Sequence, residues 1–411
     1  MKVSTILAGM AMTLLLLLAL PAAASDHTLG VFGNANEDDT INMQDVTYTE
    51  LIILEYRDQT ELSDAKHDGK INMQDVTQIE LVIIGNEKEI TILDSADRAV
   101  TVKKPVERIV VLHSDGASAL KILGATDAVV GVTSVVLKKD YYFPELSGTP
   151  SVGYPEYDYE AILSLNPDLV MYYGSGSYYK PRLLEMEKKL PGVTLVGLDF
   201  YKQATLRYEL ELLGYVLDKT NEAAEYNDWC KEHEDAINDL VDVLESEEKP
   251  KVLITTMKGY PGAIKTYGPA SACDILCTMA GGVNIAGELP ATYPKIDSEW
   301  VISENPDVII TFESGTGQGW VDTTKPEELV NAIMDIEEWA RISAVENGRV
   351  YACNYELLFG LDSVAGLTYW AEFMHPGFDL DPGGVYREHY AMLGVPYPED
   401  LIQAYPPLET S

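Results

Sequence analysis

Positively charged side chains are scarce in this sequence: 29 lysines and arginines stand against 66 aspartates and glutamates, for a formal net charge of −37. Repulsion of that size disfavours nucleic acid and anionic lipid as partners. Cysteine is also scarce, with four residues in 411, which excludes a fold held together by disulfides. Cys273 and Cys277 would share a helical face, but no second pair of cysteines or histidines stands near them to complete a zinc site. We therefore expect buried free thiols.

Long apolar runs are missing as well, apart from residues 12–20 near the N-terminus. That run is shorter than the roughly 20 residues needed to span a membrane. It follows a positive Lys2 and precedes the small residues 22–24, which is the pattern of a cleaved export signal. The sequence therefore predicts a signal peptide at residues 1–24 and an exported, extracytoplasmic protein, at the cell surface or secreted.

What the chain does contain is repetition, and the tighter of two repeats comes just after the signal. INMQDVTYTELIIL at 41–54 and INMQDVTQIELVII at 71–84 are 30 residues apart, and an acidic loop precedes each copy. Calcium needs six to eight oxygen ligands, and a loop with alternate residues pointing inward supplies them. The pattern predicts a small all-α domain at residues 28–88 with two calcium loops. The candidate ligands, with Thr40 and Lys70 acting through their carbonyls, are Asn34, Asn36, Asp38, Thr40, Asp45, Asp64, Asp68, Lys70 and Asp75.

The paired loop–helix units resemble a dockerin domain, the calcium-dependent half of a cohesin–dockerin pair. That resemblance implies Ca²⁺ as a cofactor and a cohesin-like or other cell-surface protein as a partner. Lys66 stands where a ligand belongs, and Asp39 replaces the glycine that usually makes the sharp turn. Residues 43–44 and 73–74 are Met-Gln where many dockerins carry small hydroxyl residues that face the partner. The alternative is a metal-free spacer of two paired helices.

The second repeat divides the rest of the chain. NPDLVMYY at 166–173 and NPDVIITF at 305–312 lie 139 residues apart, and each follows an acidic tag that ends at Glu160 or Glu299. Around both copies, short apolar runs alternate with helical patterns, which is typical of parallel βα units. We therefore expect one α/β unit that was built twice.

One amphipathic helix over residues 220–248 is predicted to connect the two halves. The halves themselves are an N-terminal lobe at 89–219 and a C-terminal lobe at 249–411, and Pro250 stops the helix between them. At 1.5 Å per residue the helix would span roughly 40 Å, enough to join two lobes along their backs.

The hairpin segment ILDSADRAVTVKKPVERIVVL, the paired NPD motifs, the single connecting helix and the segment WARISAVENGRVYACN resemble the substrate-binding proteins of ABC importers that carry ferric siderophores, haem and cobalamin. The resemblance covers residues 90–411. It implies an α/β fold of two Rossmann-like lobes joined by one rigid helix, a metal chelate held between them, and delivery to an importer permease without catalysis. Asp97 replaces the usual glycine of the hairpin turn, a left-handed position that aspartate tolerates.

Glu160 and Glu299 are the candidates for permease docking. In the resembled family, a glutamate at this motif position on each lobe meets arginines of the two permease subunits. Two separated carboxylates would fix orientation and speed encounter. The alternative is helix capping, because a carboxylate in the first turn of a helix gains about 0.3–1 kcal/mol from the helix dipole.

The ligand is expected beyond the carboxyl ends of the strands, where ligands of open α/β sheets bind. Tyrosines in those loops offer a large rigid contact area with one polar handle, and Lys258 or Lys265 would meet an anionic chelate. A lone histidine such as His113 has a second interpretation, as a helix cap. The ligand-binding candidates are His113, Ser114, Tyr173, Ser175, Tyr178, Lys258, Tyr260, Glu313, Trp320 and Tyr355.

The predicted function is therefore a receptor outside the cytoplasm that captures a ferric siderophore, haem or corrinoid and delivers it to an ABC importer. The scarcity of basic residues disfavours a highly anionic siderophore. One alternative is a secreted, scaffold-attached enzyme such as a glycoside hydrolase, for which no pair of carboxylates at hydrolytic separation can be placed. A chelatase-like enzyme would have to use His113 with Glu313, and a surface adhesion module is the third alternative.

Overall fold

The computed structural model describes residues 27–313 and 317–408, so the predicted signal peptide lies outside the described residues. The chain divides into two compact units, Met1–Glu87 and Lys88–Ser411. Within the described part of the chain, no helix is long and apolar enough to cross a membrane.

The first unit holds two helices with the same start. Helices α1 (Met43–Ile53) and α2 (Met73–Ile83) each begin after an asparagine, Asn42 or Asn72, whose side chain accepts a hydrogen bond from the backbone two residues later. An aspartate at the third helical position accepts the amide N–H of that asparagine in return, which completes a capping box in both copies. The repeated sequence therefore gives a repeated local structure.

The second unit opens with the predicted hairpin. Strands β1 (Glu89–Leu93) and β2 (Ala99–Lys103) pair antiparallel, and Asp97 takes the left-handed turn position with φ 58°. The prediction that aspartate is tolerated there is confirmed.

The first lobe is a four-stranded parallel sheet in the order β4-β3-β5-β6. Its strands are β3 (Ile109–Val111), β4 (Val129–Val132), β5 (Leu169–Tyr172) and β6 (Thr194–Gly197). All residues of these strands are buried except Val130 and Thr194, which are half-buried, as expected of continuous apolar runs in a parallel sheet. The helices of this lobe are α3 (Ser114–Ile122), α4 (Ser134–Leu137), α5 (Tyr159–Ser164), α6 (Gly176–Lys189) and α7 (Gln203–Leu217).

The connecting helix α8 is shorter than predicted. It runs over Thr220–Val241, not 220–248, and so spans about 33 Å. The residues that follow are rich in acid, including Asp242, Glu245 and Glu247, and no basic residue lies in the last turn. Carboxylates at the negative end of a helix dipole are unfavourable, so the helix ends before Pro250 is reached.

The second lobe is built around a five-stranded sheet in the order β13-β12-β11-β7-β9, parallel except for its edge strand β13. The strands of this lobe, including the separate antiparallel pair β8 and β10, are β7 (Lys251–Thr255), β8 (Ile264–Lys265), β9 (Val283–Asn284), β10 (Lys295–Ile296), β11 (Val308–Thr311), β12 (Val350–Cys353) and β13 (Ala404–Tyr405). The helices are α9 (Ala272–Met279), α10 (Ser298–Glu304), α11 (Thr324–Met334), α12 (Ser343–Glu346), α13 (Ser363–Met374) and α14 (Pro382–Met392).

The two lobes repeat one topology. When the parallel strands of each sheet are counted in chain order, both sheets have the spatial order second, first, third, fourth: β4-β3-β5-β6 in the first lobe and β9-β7-β11-β12 in the second. The NPD strands β5 and β11 are the third strand of their sheets. Asn166 and Asn305 end the preceding helices with φ of 46° and 49°. Asp168 and Asp307 then accept backbone N–H groups from the residues that enter the first strand of each sheet. The NPD motif thus stops a helix and fastens its turn to the sheet in both lobes.

All four cysteines are free and buried, as expected from the sequence. Burial raises the thiol pKa of Cys230, Cys273, Cys277 and Cys353.

Candidate functional site

Tyrosines gather at the carboxyl ends of β5 and β6 in the first lobe. Tyr173, Tyr178, Tyr179 and Tyr201, which we call the first-lobe tyrosine cluster, are in mutual ring contact. The centroid of Tyr173 lies 4.5 Å from that of Tyr179 and 5.1 Å from that of Tyr201, and Tyr178 lies 5.1 Å from Tyr179. The rings are tilted or perpendicular, the geometries that aromatic quadrupoles prefer.

A matching group lies at the carboxyl end of the second-lobe sheet. Tyr267, Tyr293, Phe312 and Tyr355 form the second-lobe aromatic cluster. The centroid of Tyr267 lies 5.8 Å from Tyr293 and 5.2 Å from Phe312, and Phe312 lies 6.0 Å from Tyr355.

The two clusters face one another. Burial raises the pKa of Tyr179 and of Tyr201, and the Tyr293 phenol of the other lobe adds to both shifts. Asp115 of the first lobe likewise adds to the raised pKa of Tyr355, after burial, Cys273 and Glu356. Lys139 Nζ of the first lobe also lies 2.6 Å from Glu356 Oε2, the residue after Tyr355, so the clusters border one cleft between the lobes.

Asp115 lies at the base of that cleft. Its Oδ2 accepts a hydrogen bond from Tyr173 Oη at 2.6 Å, and its Oδ1 lies 3.3 Å from Ser114 Oγ. On the opposite side, Gly360 has φ 67°, and a Cβ there would lie 3.1 Å from Asp115 Oδ1. The lobes therefore approach closely at this point, where a side chain on residue 360 would be crowded.

His113 supports the tyrosine cluster from beneath. It is 4% exposed, caps α3 by accepting the Gly116 N–H at Nδ1 (2.8 Å), and stacks on Tyr173 with centroids 4.2 Å apart. Burial lowers its pKa to about 4, so the ring is neutral at physiological pH. The geometry corresponds to the capping interpretation of His113, and its position below Tyr173 removes it from the cleft surface.

Ser175 belongs to a polar group at the edge of the first-lobe cluster. Its hydroxyl is hydrogen-bonded to Asp199, whose Oδ2 pairs with Lys202 Nζ at 2.9 Å. Tyr178, at the same edge, is 59% exposed and carries the Arg182 guanidinium 3.5 Å above its ring. Both predicted residues are thus near the cleft, together with Ser114, Tyr173 and Tyr355.

Four other predicted ligand residues are not members of the two clusters, although Glu313 follows Phe312 in the chain and the Lys258 carbonyl accepts the N–H of Lys265. The prediction that Trp320 contacts the ligand is corrected by its burial in the hydrophobic core of the second lobe. Its backbone pairs with that of Ile402, because the chain from residue 317 onward turns back into the lobe. Tyr260 packs against Trp339, 6.3 Å between centroids, toward the start of α10. Glu313 and Lys258 are exposed, and Glu313 lies 3.6 Å from the Lys325 ammonium.

A buried polar network crosses between the lobes beside the cleft, and nothing in the sequence indicated it. Lys139 Nζ lies 2.6 Å from Glu356 Oε2. Tyr142 is hydrogen-bonded to Asp362, which also accepts from Tyr386 Oη at 2.7 Å. Burial raises the pKa of Asp362 to about 6, and the two tyrosine hydrogen bonds oppose that shift. Because each partner is matched, the network ties the first-lobe segment after α4 to the C-terminal helices.

The docking candidates occupy matching positions on the two lobes. Asp158 Oδ1 accepts the Ala161 N–H at 2.9 Å to cap α5, and Asp297 Oδ1 accepts the Trp300 N–H at 2.8 Å to cap α10. Glu160 and Glu299 are the second residues of these helices, and both are exposed. Because the aspartates already cap the helices, capping does not require the glutamates.

The predicted calcium loops of the first unit share a hydrogen-bond pattern. Asp45 accepts the backbone N–H of residues 36 and 42, and Asp75 accepts those of residues 66 and 72. Both loops have a left-handed residue at equivalent positions, Glu37 with φ 57° and His67 with φ 51°, but only the second loop has another at the sharp turn, Gly69 with φ 81°, whose counterpart Asp39 is not left-handed. Within residues 27–313 and 317–408, no group of three His, Cys, Asp or Glu side chains is arranged to hold a metal ion, so these loops depend on asparagine and carbonyl oxygens as well.

Two surface cavities lie on the second lobe, and neither is lined by a residue of the facing clusters. One of about 520 Å³ is lined by Leu289, Ile296 and Trp300, and one of about 720 Å³ by Tyr369 and Tyr397, among others. Neither lining combines aromatic residues of both lobes. The cleft between the clusters is the better candidate for a site that depends on two lobes.

Comparison with known proteins gives one family match. The sequence model of the family described as periplasmic binding protein matches residues 109–357, more than half of the chain and all within the second unit. Solved structures agree in fold. A TroA-like periplasmic binding protein, FepB of Veillonella parvula, superposes with a TM-score of 0.61 at 22% identity over 76% of this chain and 97% of its own. Molybdate-bound MolA of Haemophilus influenzae gives 0.59 at 20% identity over 74% and 97%.

Curated relatives have related descriptions. The uncharacterised ABC transporter substrate-binding lipoprotein YvrC of Bacillus subtilis is 24% identical over 290 residues, which is 70% of this chain and 86% of the relative. A cobalamin-binding protein of Halobacterium salinarum is 27% identical over 229 residues, 54% of this chain and 58% of the relative. The haem uptake protein IsdE of Staphylococcus aureus is 26% identical over 215 residues, 52% and 68%.

Proposed function

Because the chain belongs to the periplasmic binding protein family, we propose that its second unit captures a metal chelate, namely a ferric siderophore, haem or a corrinoid, and delivers it to the permease of an ABC importer. The chain is a solute-binding protein, and the relatives give no support to a scaffold-attached enzyme. The observation that carries the ligand class is the pair of aromatic clusters facing each other across the cleft.

Facing aromatic rings suit a large ligand with flat or conjugated surfaces, because stacked and edge contacts add affinity beyond the area buried. A small oxyanion, which one relative binds, needs several hydrogen-bond donors around it instead. The two clusters present mainly ring surface, with one hydroxyl donor on each tyrosine and none on Phe312. This composition favours a chelate over an oxyanion.

The first experiment is the visible absorption spectrum of the protein purified from its native host, because corrinoids, haem and ferric chelates have different bands. Purified protein is then titrated with cyanocobinamide, haemin and a ferric hydroxamate while tryptophan fluorescence is followed. Saturable binding of one probe is expected, and absence of binding by all three would contradict the proposed ligand class. Tyr179→Ala and Tyr293→Ala should each weaken binding about tenfold. Tyr56→Ala, at an exposed tyrosine of the first unit, is the matched control.

Delivery is proposed to use Glu160 and Glu299. Their matched, exposed positions at the starts of α5 and α10 support two equivalent contacts with arginines of the permease. A Glu160→Ala, Glu299→Ala double variant should bind ligand normally and lose uptake in a reconstituted importer. A Glu225→Ala, Glu337→Ala variant removes two other exposed carboxylates and should transport normally. Full uptake by the first double variant would rule out this docking role.

The first unit is proposed to bind Ca²⁺ in its two dockerin-like loops. Asp45 is fully buried, and burial raises its pKa to about 6, a cost that a bound cation would offset. Asn34 Oδ1, in the first loop, is buried without a hydrogen-bond partner among the described residues, and an asparagine oxygen is a ligand that Ca²⁺ accepts. The second loop has the more suitable turn, at Gly69, and is expected to bind more tightly.

Calcium binding is measured by equilibrium dialysis of the whole chain. Two bound ions are expected, and Asp64→Ala should remove one of them, whereas Asp58→Ala outside the loops should remove none. Binding of no ion would favour the metal-free spacer. By the same proposal the calcium-loaded unit contacts a cohesin-like or other cell-surface protein, with the exposed Met43 and Met73 at equivalent positions of the contact. That interaction should be lost when calcium is chelated.

A further inference from the structure

Lys265 is held in a fixed place at the second-lobe side of the cleft. It ends strand β8, where its amide N–H donates to the Lys258 carbonyl at 3.0 Å and its own carbonyl accepts from Thr255 Oγ1 at 2.9 Å. Its Nζ lies 5.3 Å from the ring centroid of Tyr267 and 5.1 Å from that of Tyr293. The ammonium therefore sits between two rings of the second-lobe aromatic cluster.

The lysines around the cleft differ in their partners. Lys139 is paired with Glu356 at 2.6 Å, and Lys202 is paired with Asp199 at 2.9 Å. Lys265 forms no ion pair with any of residues 27–313 or 317–408, and its contacts are the two tyrosine faces. This is unusual in a chain with more than twice as many acidic as basic side chains.

Two tyrosine faces attract an ammonium group, but they do not replace the strong acceptors that its three N–H donors prefer. A carboxylate is such an acceptor, because it forms short charge-assisted hydrogen bonds with an ammonium group. A flat ligand that stacks between Tyr293 and the facing Tyr179 and Tyr201 brings its edge toward Lys265.

We infer that Lys265 binds an acidic group on the edge of the ligand, so that the captured chelate carries at least one free carboxylate. This inference rests on the proposed function and narrows it. Haem carries propionates on its edge, whereas the peripheral side chains of a corrinoid are amides. The position of Lys265 therefore selects an acid-bearing chelate over a neutral one and makes this lysine a determinant of specificity.

The test compares haemin and cyanocobinamide as probes for the whole chain and three variants. Lys265→Met removes the charge and keeps the length of the side chain, Lys265→Arg keeps the charge, and Lys188→Met removes a charge from the exposed end of α6. Haemin affinity should fall about tenfold or more in Lys265→Met and change little in the other two, as expected for loss of a hydrogen bond to a charged group. Raising the salt concentration should weaken haemin binding to the wild type and have a smaller effect on Lys265→Met.

Each other outcome is decisive. If wild type and Lys265→Met bind haemin equally, or if wild type binds cyanocobinamide and not haemin, the role of Lys265 is wrong and the proposed function stands. If the wild type binds none of the three probes (haemin, cyanocobinamide and a ferric hydroxamate), the proposed ligand class is wrong and the inference is wrong with it.

Discussion

Glu209 is the carboxylate whose burial should have the clearest effect on stability. It lies in α7, is 2% exposed, and accepts a hydrogen bond from Ser95 Oγ at one oxygen. Its second oxygen has no partner among the described residues. Burial, followed by the nearby Asp199, raises its pKa from 4.5 to about 8. The side chain is therefore protonated in the folded protein at neutral pH.

The consequence for stability follows from proton linkage. Between its unfolded pKa of 4.5 and its folded pKa of about 8, Glu209 is charged in the unfolded chain and neutral in the folded one, so folding takes up a proton. The free energy of unfolding then falls by about 1.36 kcal/mol for each pH unit in that window, or about 5 kcal/mol across it. The loss is complete above the folded pKa and absent below the unfolded one.

Glu209→Gln removes this titration and keeps the shape of the neutral side chain. Relative to wild type, its free energy of unfolding should therefore rise with pH, by about 4 kcal/mol between about pH 5 and pH 8. Urea unfolding followed by tryptophan fluorescence measures it well, because all five tryptophans lie in the second unit and the signal reports that unit alone.

Glu225→Gln serves as the control. Glu225 lies on the exposed side of α8, so its replacement makes the same chemical change in a side chain that is not buried. The unfolding free energy is plotted against pH for wild type and Glu209→Gln. If the two curves run parallel, the buried carboxyl does not take up a proton on folding, and the argument from burial is wrong.

Two further predictions concern local structure and use the same unfolding measurement. Asp158→Ala and Asp297→Ala should each lower the free energy of unfolding by about 1 kcal/mol, because each removes the side-chain cap of a helix in its own lobe; equal stability of either variant and wild type would show that the cap is dispensable. Gly366→Ala should cost about 3 kcal/mol or more, because the new Cβ would lie 1.7 Å from the Leu357 carbonyl oxygen, whereas Gly148→Ala meets nothing within 4 Å and should be nearly neutral. Comparable stability of these two glycine variants would contradict the close packing of α13.

Much of the scaffold could be predicted from the sequence. The two NPD strands lie where their apolar runs indicated, because a buried parallel strand is a short uninterrupted apolar segment. A helix does precede each NPD turn, and it begins after Asp158 or Asp297, a residue type preferred at helix starts. Strand burial and helix caps depend on residues close together in the chain, so they can be predicted from the sequence.

The cleft was harder to predict because its residues come from separate segments. The rule that ligands bind at the carboxyl ends of strands led to Tyr173, and applied to β6 it would also have led to Tyr201. Tyr267 and Tyr293 follow or precede two-residue strands with no apolar run to reveal them. Trp320 was predicted to line the cleft but lies in the core of the second lobe. A large aromatic residue after a strand can occupy either place, and only tertiary packing decides between them.

The two acidic residues at the start of each NPD helix differ in their hydrogen bonds, and this bears on how the duplicated lobes are built. In both lobes the aspartate accepts the orphan N–H of the first turn, while the glutamate two positions later points to solvent without that duty. The aromatic clusters are not copies of each other in the same way: one is built from four tyrosines that follow β5 and β6, and the other includes Phe312 and residues beside the β8 and β10 pair. What the lobes share is therefore the scaffold and an exposed carboxylate on each side, which fits a partner with two equivalent sockets. Where the lobes differ is the cleft, which fits a ligand with two unlike faces.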